Sequence, residues 1–257
     1  MTNLSSSVIY YFLLHALIAF SSGHVCMTEE SSTAASTTTT TSKTTTTSRP
    51  ITSTKKYNRE NPAFESGFEP NAFTHGKKMV CYYGSWAVYR PEKGKFPVEN
   101  VDPFLCTHII YTFAGLGYDN RIRSLDPWND LKDNYGKGAF ERFTNLKKIN
   151  PKLKTMLAIG GWNEGSIKYS GMAASPASRK DFVDSVLEFL AKYDFDGLDL
   201  DWEYPAARGG KPEDKDNFSS LVRELKSAFG SRYLLTAAVT AGKWFIDPAY
   251  DVPAISR

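Results

Sequence analysis

The chain has 257 residues, 41% of them hydrophobic and 14% aromatic, with a formal charge of only +3. That is enough apolar material for one sizeable core, and so small a charge implies no electrostatic drive toward nucleic acid or a membrane surface. Three cysteines are too few for a disulfide scaffold and include no C-x-x-C pair of the kind that holds a metal.

Residues 8–20 (VIYYFLLHALIAF) are an apolar run that ends in Ser21, Ser22 and Gly23. At about 1.5 Å per residue a helix of that length falls short of a bilayer core of about 30 Å. The run and its small-residue exit predict a cleaved secretory signal over residues 1–23, and so a secreted, extracellular protein with no membrane attachment after cleavage. The stretch before the run carries no Lys or Arg, and a buried strand or an uncleaved anchor are the alternatives. Residues 31–54 are almost all Ser and Thr, with nothing to offset the entropy of ordering. Residues 24–77 are therefore expected to be a disordered linker, either an O-glycosylated stalk or a plain flexible spacer.

From residue 78 the pattern becomes regular. Segments 78–83 (KMVCYY), 107–113 (THIIYTF), 154–159 (KTMLAI), 197–201 (GLDLD) and 233–239 (YLLTAAV) predict strands. Between them apolar residues recur at helical spacing: Phe140, Phe143, Leu146 and Ile149; Phe182, Val183, Val186, Leu187 and Leu190; Phe218, Leu221, Val222, Leu225 and Phe229. Ser175-Pro176 supplies an N-cap and a proline at N1. Strand and helix in alternation predict right-handed βαβ units, a parallel sheet and an α/β fold.

The chemistry concentrates in Phe195-Asp196-Gly197-Leu198-Asp199-Leu200-Asp201-Trp202-Glu203-Tyr204-Pro205. Side chains alternate along a strand, so Asp199, Asp201 and Glu203 project together while Leu198 and Leu200 face the helices. Three converging carboxyls at the end of a buried strand repel and desolvate one another, and at least one keeps its proton near neutral pH. A carboxylic acid so held is ready to protonate a leaving group. A calcium loop does not fit. An EF-hand register would put Lys192 at the first ligand position and Asp199 at the apolar eighth.

DGLDLDWEYP resembles the active-site strand of glycoside hydrolase family 18 chitinases, with its D-x-x-D-x-D-x-E signature on the fourth strand of a (β/α)₈ TIM barrel. Residues 154–166 (KTMLAIGGWNEGS) are similar to the family's third strand and following loop, Cys81-Tyr82-Tyr83-Gly84-Ser85-Trp86 to its first strand, and YTFAG (111–115) to its second. The resemblance runs over residues 78–257 and is nearest to secreted animal chitinases.

It implies a catalytic domain hydrolysing β-1,4-linked N-acetylglucosamine polymers. Glu203 would be the general acid, and the substrate's own acetamido carbonyl would attack the anomeric carbon, with net retention. Asp201 would hydrogen-bond the acetamide N–H and share a proton with Glu203 or with Asp199 behind it, and Asp196 would be structural. Trp162, within Gly160-Gly161-Trp162-Asn163, would lie near the cleavage point, the glycines bringing backbone close to ligand. Pro127 and Trp128 would line sugar subsites, and Tyr83, Phe113 and Tyr204 further ones. The resemblance also implies a Cys81–Cys106 disulfide, which leaves Cys26 free or paired between chains. Asn217-Phe218-Ser219 is a glycosylation sequon.

No cofactor or metal is called for, and the protein is expected to act as a monomer on chitin or chito-oligosaccharides. The resemblance implies an endo-type chitinase; the residues leave open whether chains are cut from the end or the interior. A barrel takes about 250 residues and eight strands; the five strands here, without the family's sixth-strand Met-x-Tyr-Asp or eighth-strand Trp, lead to the expectation of a C-terminally truncated domain. A chitin-binding lectin of the same family is the alternative, against which Glu203 stands, since such members replace the glutamate. A mucin-like adhesion protein would account for the Ser/Thr stretch but not for three carboxyls on one strand.

Overall fold

The computed structural model describes residues 15–19 and 77–256. Its strands in chain order are β1 (His15–Ala19), β2 (Val80–Gly84), β3 (His108–Leu116), β4 (Ile122–Ser124), β5 (Lys154–Gly160), β6 (Gly197–Asp201) and β7 (Leu234–Thr240). The α-helices are α1 (Pro127–Asp130), α2 (Ala139–Thr144), α3 (Ile167–Ala173), α4 (Pro176–Tyr193), α5 (Asp214–Phe229), α6 (Lys243–Ala249) and α7 (Val252–Ile255).

Strands β2, β3, β5, β6 and β7 lie side by side in chain order, every neighbouring pair parallel. The order never reverses. A doubly wound sheet has a point where it does, whereas a barrel winds in one direction only. Five parallel strands with helices packed along one face thus form a partial (β/α)₈ barrel: the alternation of elements predicted the parallel sheet, and the family resemblance implied the barrel. β4 returns as a short antiparallel hairpin on the end of β3.

Strand alternation sorts the two faces. Ile109, Tyr111, Leu157, Ile159, Leu198, Leu200 and Leu235 join Phe182, Val186 and Leu190 of α4 and Phe218, Leu221 and Leu225 of α5 in one buried core. The opposite face holds a much smaller apolar cluster of Ile110, Met156 and Ala158, with Val80, Phe113 and Leu234 against it. Helix α4 begins where the sequence indicates: the Ser175 side chain accepts from Ser178 N (3.1 Å), with Pro176 following. Two helical details differ. A separate short helix, α3, precedes α4. Ile149 is exposed rather than buried: it lies past the end of the 3₁₀ turn at Asn145–Lys148 that continues α2, as its C-cap residue.

Cys81 and Cys106 form a disulfide that ties β2 to the segment entering β3 across 25 residues. Closing a loop of that length contributes about 3 kcal/mol through the unfolded state. β1 pairs antiparallel with β7, from His15 against Thr240 to Ala19 against Thr236, and so covers one edge of the parallel sheet. These five residues belong to the apolar run expected to be a signal. A cleaved signal and a β1 strand are mutually exclusive uses of them. The rest of that run, Cys26 and the linker apart from Lys77 lie outside the described residues. Among the described residues no helix is long and apolar enough to cross a membrane.

Candidate active site

Strand β6 sits between β5 and β7 and is buried along its whole length. Its register sets Asp199 beside Ala158 and Thr236, and Asp201 beside Gly160. With Leu198 and Leu200 committed to the helix-side core, both aspartates are left on the opposite face. Two hydroxyls meet Asp199: Tyr82 Oη donates to Oδ2 (2.9 Å) and Thr236 Oγ1 to Oδ1 (2.5 Å). Asp201 is hydrogen-bonded to the Glu203 side chain, and both are buried.

Burial, the Glu203 charge and then the Asp199 charge push the Asp201 carboxyl up to about 8. Two carboxylates in contact cannot both ionise cheaply, so Asp201 keeps its proton through neutral pH. Tyr204 adds a hydroxyl to this group. Burial, then the Glu203 charge and a hydrogen bond to it, raise that phenol to about 12. The site can therefore hold and donate a proton at the C-terminal edge of the sheet, where barrel enzymes carry out their chemistry.

The loops leaving the strands bring most of the expected aromatic positions to the same edge. Trp162 stands half exposed on the turn after β5, with Asn163 exposed beside it. Pro127 and Trp128 open α1 beyond the β4 hairpin, both exposed, with the Lys137 ammonium 3.8 Å above the Trp128 ring. Phe113 is half-buried where the β3–β5 register shifts between Tyr111 and Ala114, an irregularity of the kind that re-aims a side chain. Tyr204 lies beside the acid but is buried, packed on Phe245.

Tyr83 departs from expectation. It is only 4% exposed, points to the helix side, packs on Tyr111 and Phe143, and donates to Phe96 O. Its neighbour Tyr82, 40% exposed, is the tyrosine that reaches Asp199. In a strand one residue of shift changes the face, and the order of the two tyrosines in the motif gives no choice between them until the register with β3 is known. Trp86 is a second residue to add. Half exposed, it stacks on Phe113 with ring centroids 5.9 Å apart and planes 10° apart. Its signal was present as the last residue of the first-strand motif.

The two glycines make room for neighbouring strands. Gly160 (φ +119°) has no room for a side chain because a Cβ would fall 2.1 Å from Asp201 O, and at Gly161 (φ +86°) it would fall 2.9 Å from the Phe113 ring. Gly161 N donates to Asp201 O (2.8 Å). They bring β5 and its turn against the carboxyl strand and the Phe113 ring. Asp196, at the other end of β6, bonds Thr155 N (2.8 Å) and lies 3.3 Å from both Lys147 and Lys154, in keeping with a structural part. Asn217 is half-buried in the first turn of α5.

Comparison with known proteins agrees with this geometry. Residues 78–257 match the family described as glycosyl hydrolases family 18. The chain is 56% identical over 185 residues to probable chitinase 2 of Drosophila melanogaster, covering 71% of this chain and 38% of that protein. It is 47% identical over 186 residues to an endochitinase of Manduca sexta, with 70% and 33% covered. The crystal structure of the Ostrinia furnacalis Group IV chitinase, also known in complex with allosamidin, matches with a TM-score of 0.67 at 45% identity over 70% of this chain and 48% of that one. The chain thus spans between a third and a half of the length of these relatives. A parallel strand ending in a proton-sharing carboxyl pair, on a sheet wound in one direction, and a family match over the whole regular part of the sequence lead to one conclusion: the chain belongs to glycosyl hydrolases family 18.

Proposed function

We propose that this chain carries the proton-donating half of a chitinase active site, acting on β-1,4-linked N-acetylglucosamine polymers or oligosaccharides. The observation that supports it best is the buried Asp201–Glu203 pair, with one carboxyl held protonated up to about pH 8. Glu203 protonates the glycosidic oxygen. The pair's shared proton leaves through Glu203 to the glycosidic oxygen, and Asp201, left ionised, accepts from the acetamide N–H and turns the carbonyl oxygen toward the anomeric carbon. Asp199, held by Tyr82 and Thr236, sits behind as the negative charge that keeps the proton on the outer pair. Trp162, Trp128, Trp86 and Phe113 offer flat rings on which the C–H faces of successive sugars stack.

No cofactor enters this chemistry. The protein acts as a monomer, is secreted after loss of its first 23 residues, and carries an N-glycan on Asn217. An exported protein is one in which the Cys81–Cys106 bond persists. A second reading is a chitin-binding protein without turnover, since human YKL-39, a structural neighbour at 38% identity, is a pseudo-chitinase with retained chitooligosaccharide binding.

Proton NMR of the first product from a chito-oligosaccharide tests the mechanism. Retention gives an initial β-anomer; an initial α-anomer rules out attack by the acetamide. Oligosaccharide binding with no product at all selects the binding protein.

A further inference from the structure

The loop between β6 and α5 leaves the sheet directly after the acid and is built around one buried carboxylate. Asp214 Oδ2 accepts from Ala206 N (3.2 Å) and Lys211 N (2.7 Å), and its Oδ1 accepts from the Ser170 hydroxyl (2.7 Å). Held in this way, the loop projects Arg208 with φ at +50°, a conformation that strains a residue with a side chain. The contacts Arg208 makes offset that strain. Its guanidinium carbon lies 3.6 Å from the centre of the Trp162 ring. The same side chain donates through Nη1 to Trp162 O (2.8 Å) and to Glu203 O (3.2 Å).

One side chain therefore touches the ring and backbone of the aromatic platform after β5 and the backbone of the residue that bears the acid after β6. Arginine suits this place as lysine does not: its planar, delocalised cation stacks on an indole while its N–H groups point outward in fixed directions. Trp162 stays half exposed, so the stacked guanidinium leaves it an open face for a sugar.

We infer that Arg208 is a positioning residue that locks Trp162 to the backbone of Glu203 and so fixes the spacing between the sugar platform and the proton donor. The inference rests on the chitinase reading for its effect on turnover, and on geometry alone for its effect on Trp162. Without the lock a sugar still stacks on the ring, but the glycosidic oxygen no longer meets the acid in register. Misplacement of about an ångström is enough to slow the chemical step by an order of magnitude or more.

The test uses the full chain labelled with 5-fluorotryptophan, with the Trp162 resonance assigned through Trp162→Phe. In Arg208→Ala the Trp162 fluorine signal is expected to move while that of buried Trp202 stays in place, and Arg208→Lys falls between Ala and wild type. Turnover of a chito-oligosaccharide by Arg208→Ala is expected to lose about tenfold in kcat with KM within about twofold, and Arg208→Lys to recover part of the loss. An unmoved Trp162 signal overturns the inference. So does a shift of Trp202 as large as that of Trp162, which marks general loosening, or an unchanged kcat beside a moved Trp162 signal. A wild-type chain that turns over no oligosaccharide counts against the chitinase reading, and the fluorine spectra then decide the lock by themselves.

Discussion

Strand β6 is flanked by carboxylates at both ends, and the two ends treat them in opposite ways. At the entrance, Asp196 is met by a backbone N–H and by the ammonium groups of Lys147 and Lys154. At the exit, Asp199, Asp201 and Glu203 are met by hydroxyls and by each other. Charge met by ammonium groups at the entrance ties strands together; crowded carboxyls at the exit hold a proton on Asp201. The same side-chain chemistry serves stability at one end of a strand and reactivity at the other, and the difference lies in the partners that neighbouring strands bring.

Removing the acid breaks the contrast most sharply. Glu203→Gln keeps the shape but has no proton to donate, and is expected to lower chito-oligosaccharide hydrolysis on the order of 10²–10⁴-fold, with binding by calorimetry retained. Turnover near wild type in that variant would take Glu203 out of the role.

Asp201→Asn comes next. The folded Asp201 carboxyl is raised from 3.8 to about 8, so its contribution to stability is fully present below about pH 4 and is lost as the pH climbs through 8. Wild type should therefore show a component of its melting temperature that falls between pH 5 and 8, and the alkaline limb of its activity should fall near 8. In Asp201→Asn that component flattens and hydrolysis slows as the acetamide loses its partner. Parallel melting curves against pH for the two proteins would show that Asp201 is not the proton store.

The entrance carboxylate should affect stability alone. Asp196→Ala strands the Thr155 N–H and is expected to cost about 1–3 kcal/mol in denaturant unfolding, while the product anomer and the alkaline limb stay as in wild type. A shift of that limb would erase the distinction between the ends. The smallest effect belongs to Lys154, half exposed in its pair with Asp196. Lys154→Met should change stability by no more than about 0.5 kcal/mol, and a loss above 2 kcal/mol would mean that the entrance pair is far less screened than its exposure implies.

Much of the acid site was legible before any fold was known. The two-residue spacing of Asp199, Asp201 and Glu203 carries its own geometry, because alternation is a local property of extended chain. The Ser175-Pro176 helix start is local in the same sense, and the structure keeps it. Tyr82 and Tyr83 are the opposite case. Adjacent, alike and both in a strand, they differ only in the face each takes, and the pairing of Val80 with His108 decides that face. Gly160 and Gly161 stand out in the sequence, yet the neighbours they make room for, Asp201 O and the Phe113 ring, come from other strands.

By itself, then, the sequence determined the five parallel strands and the three main helical stripes, which carboxyls share a face, and which family motif they form, since hydrophobic period and residue order act over a few residues. Tertiary structure alone decided which carboxyl is met by lysines and which ones crowd together, which tyrosine reaches Asp199, and that Arg208 closes over Trp162. Each of these depends on residues tens of positions apart meeting through strand register and loop path, and a pairwise electrostatic or stacking energy exists only once that distance has been closed.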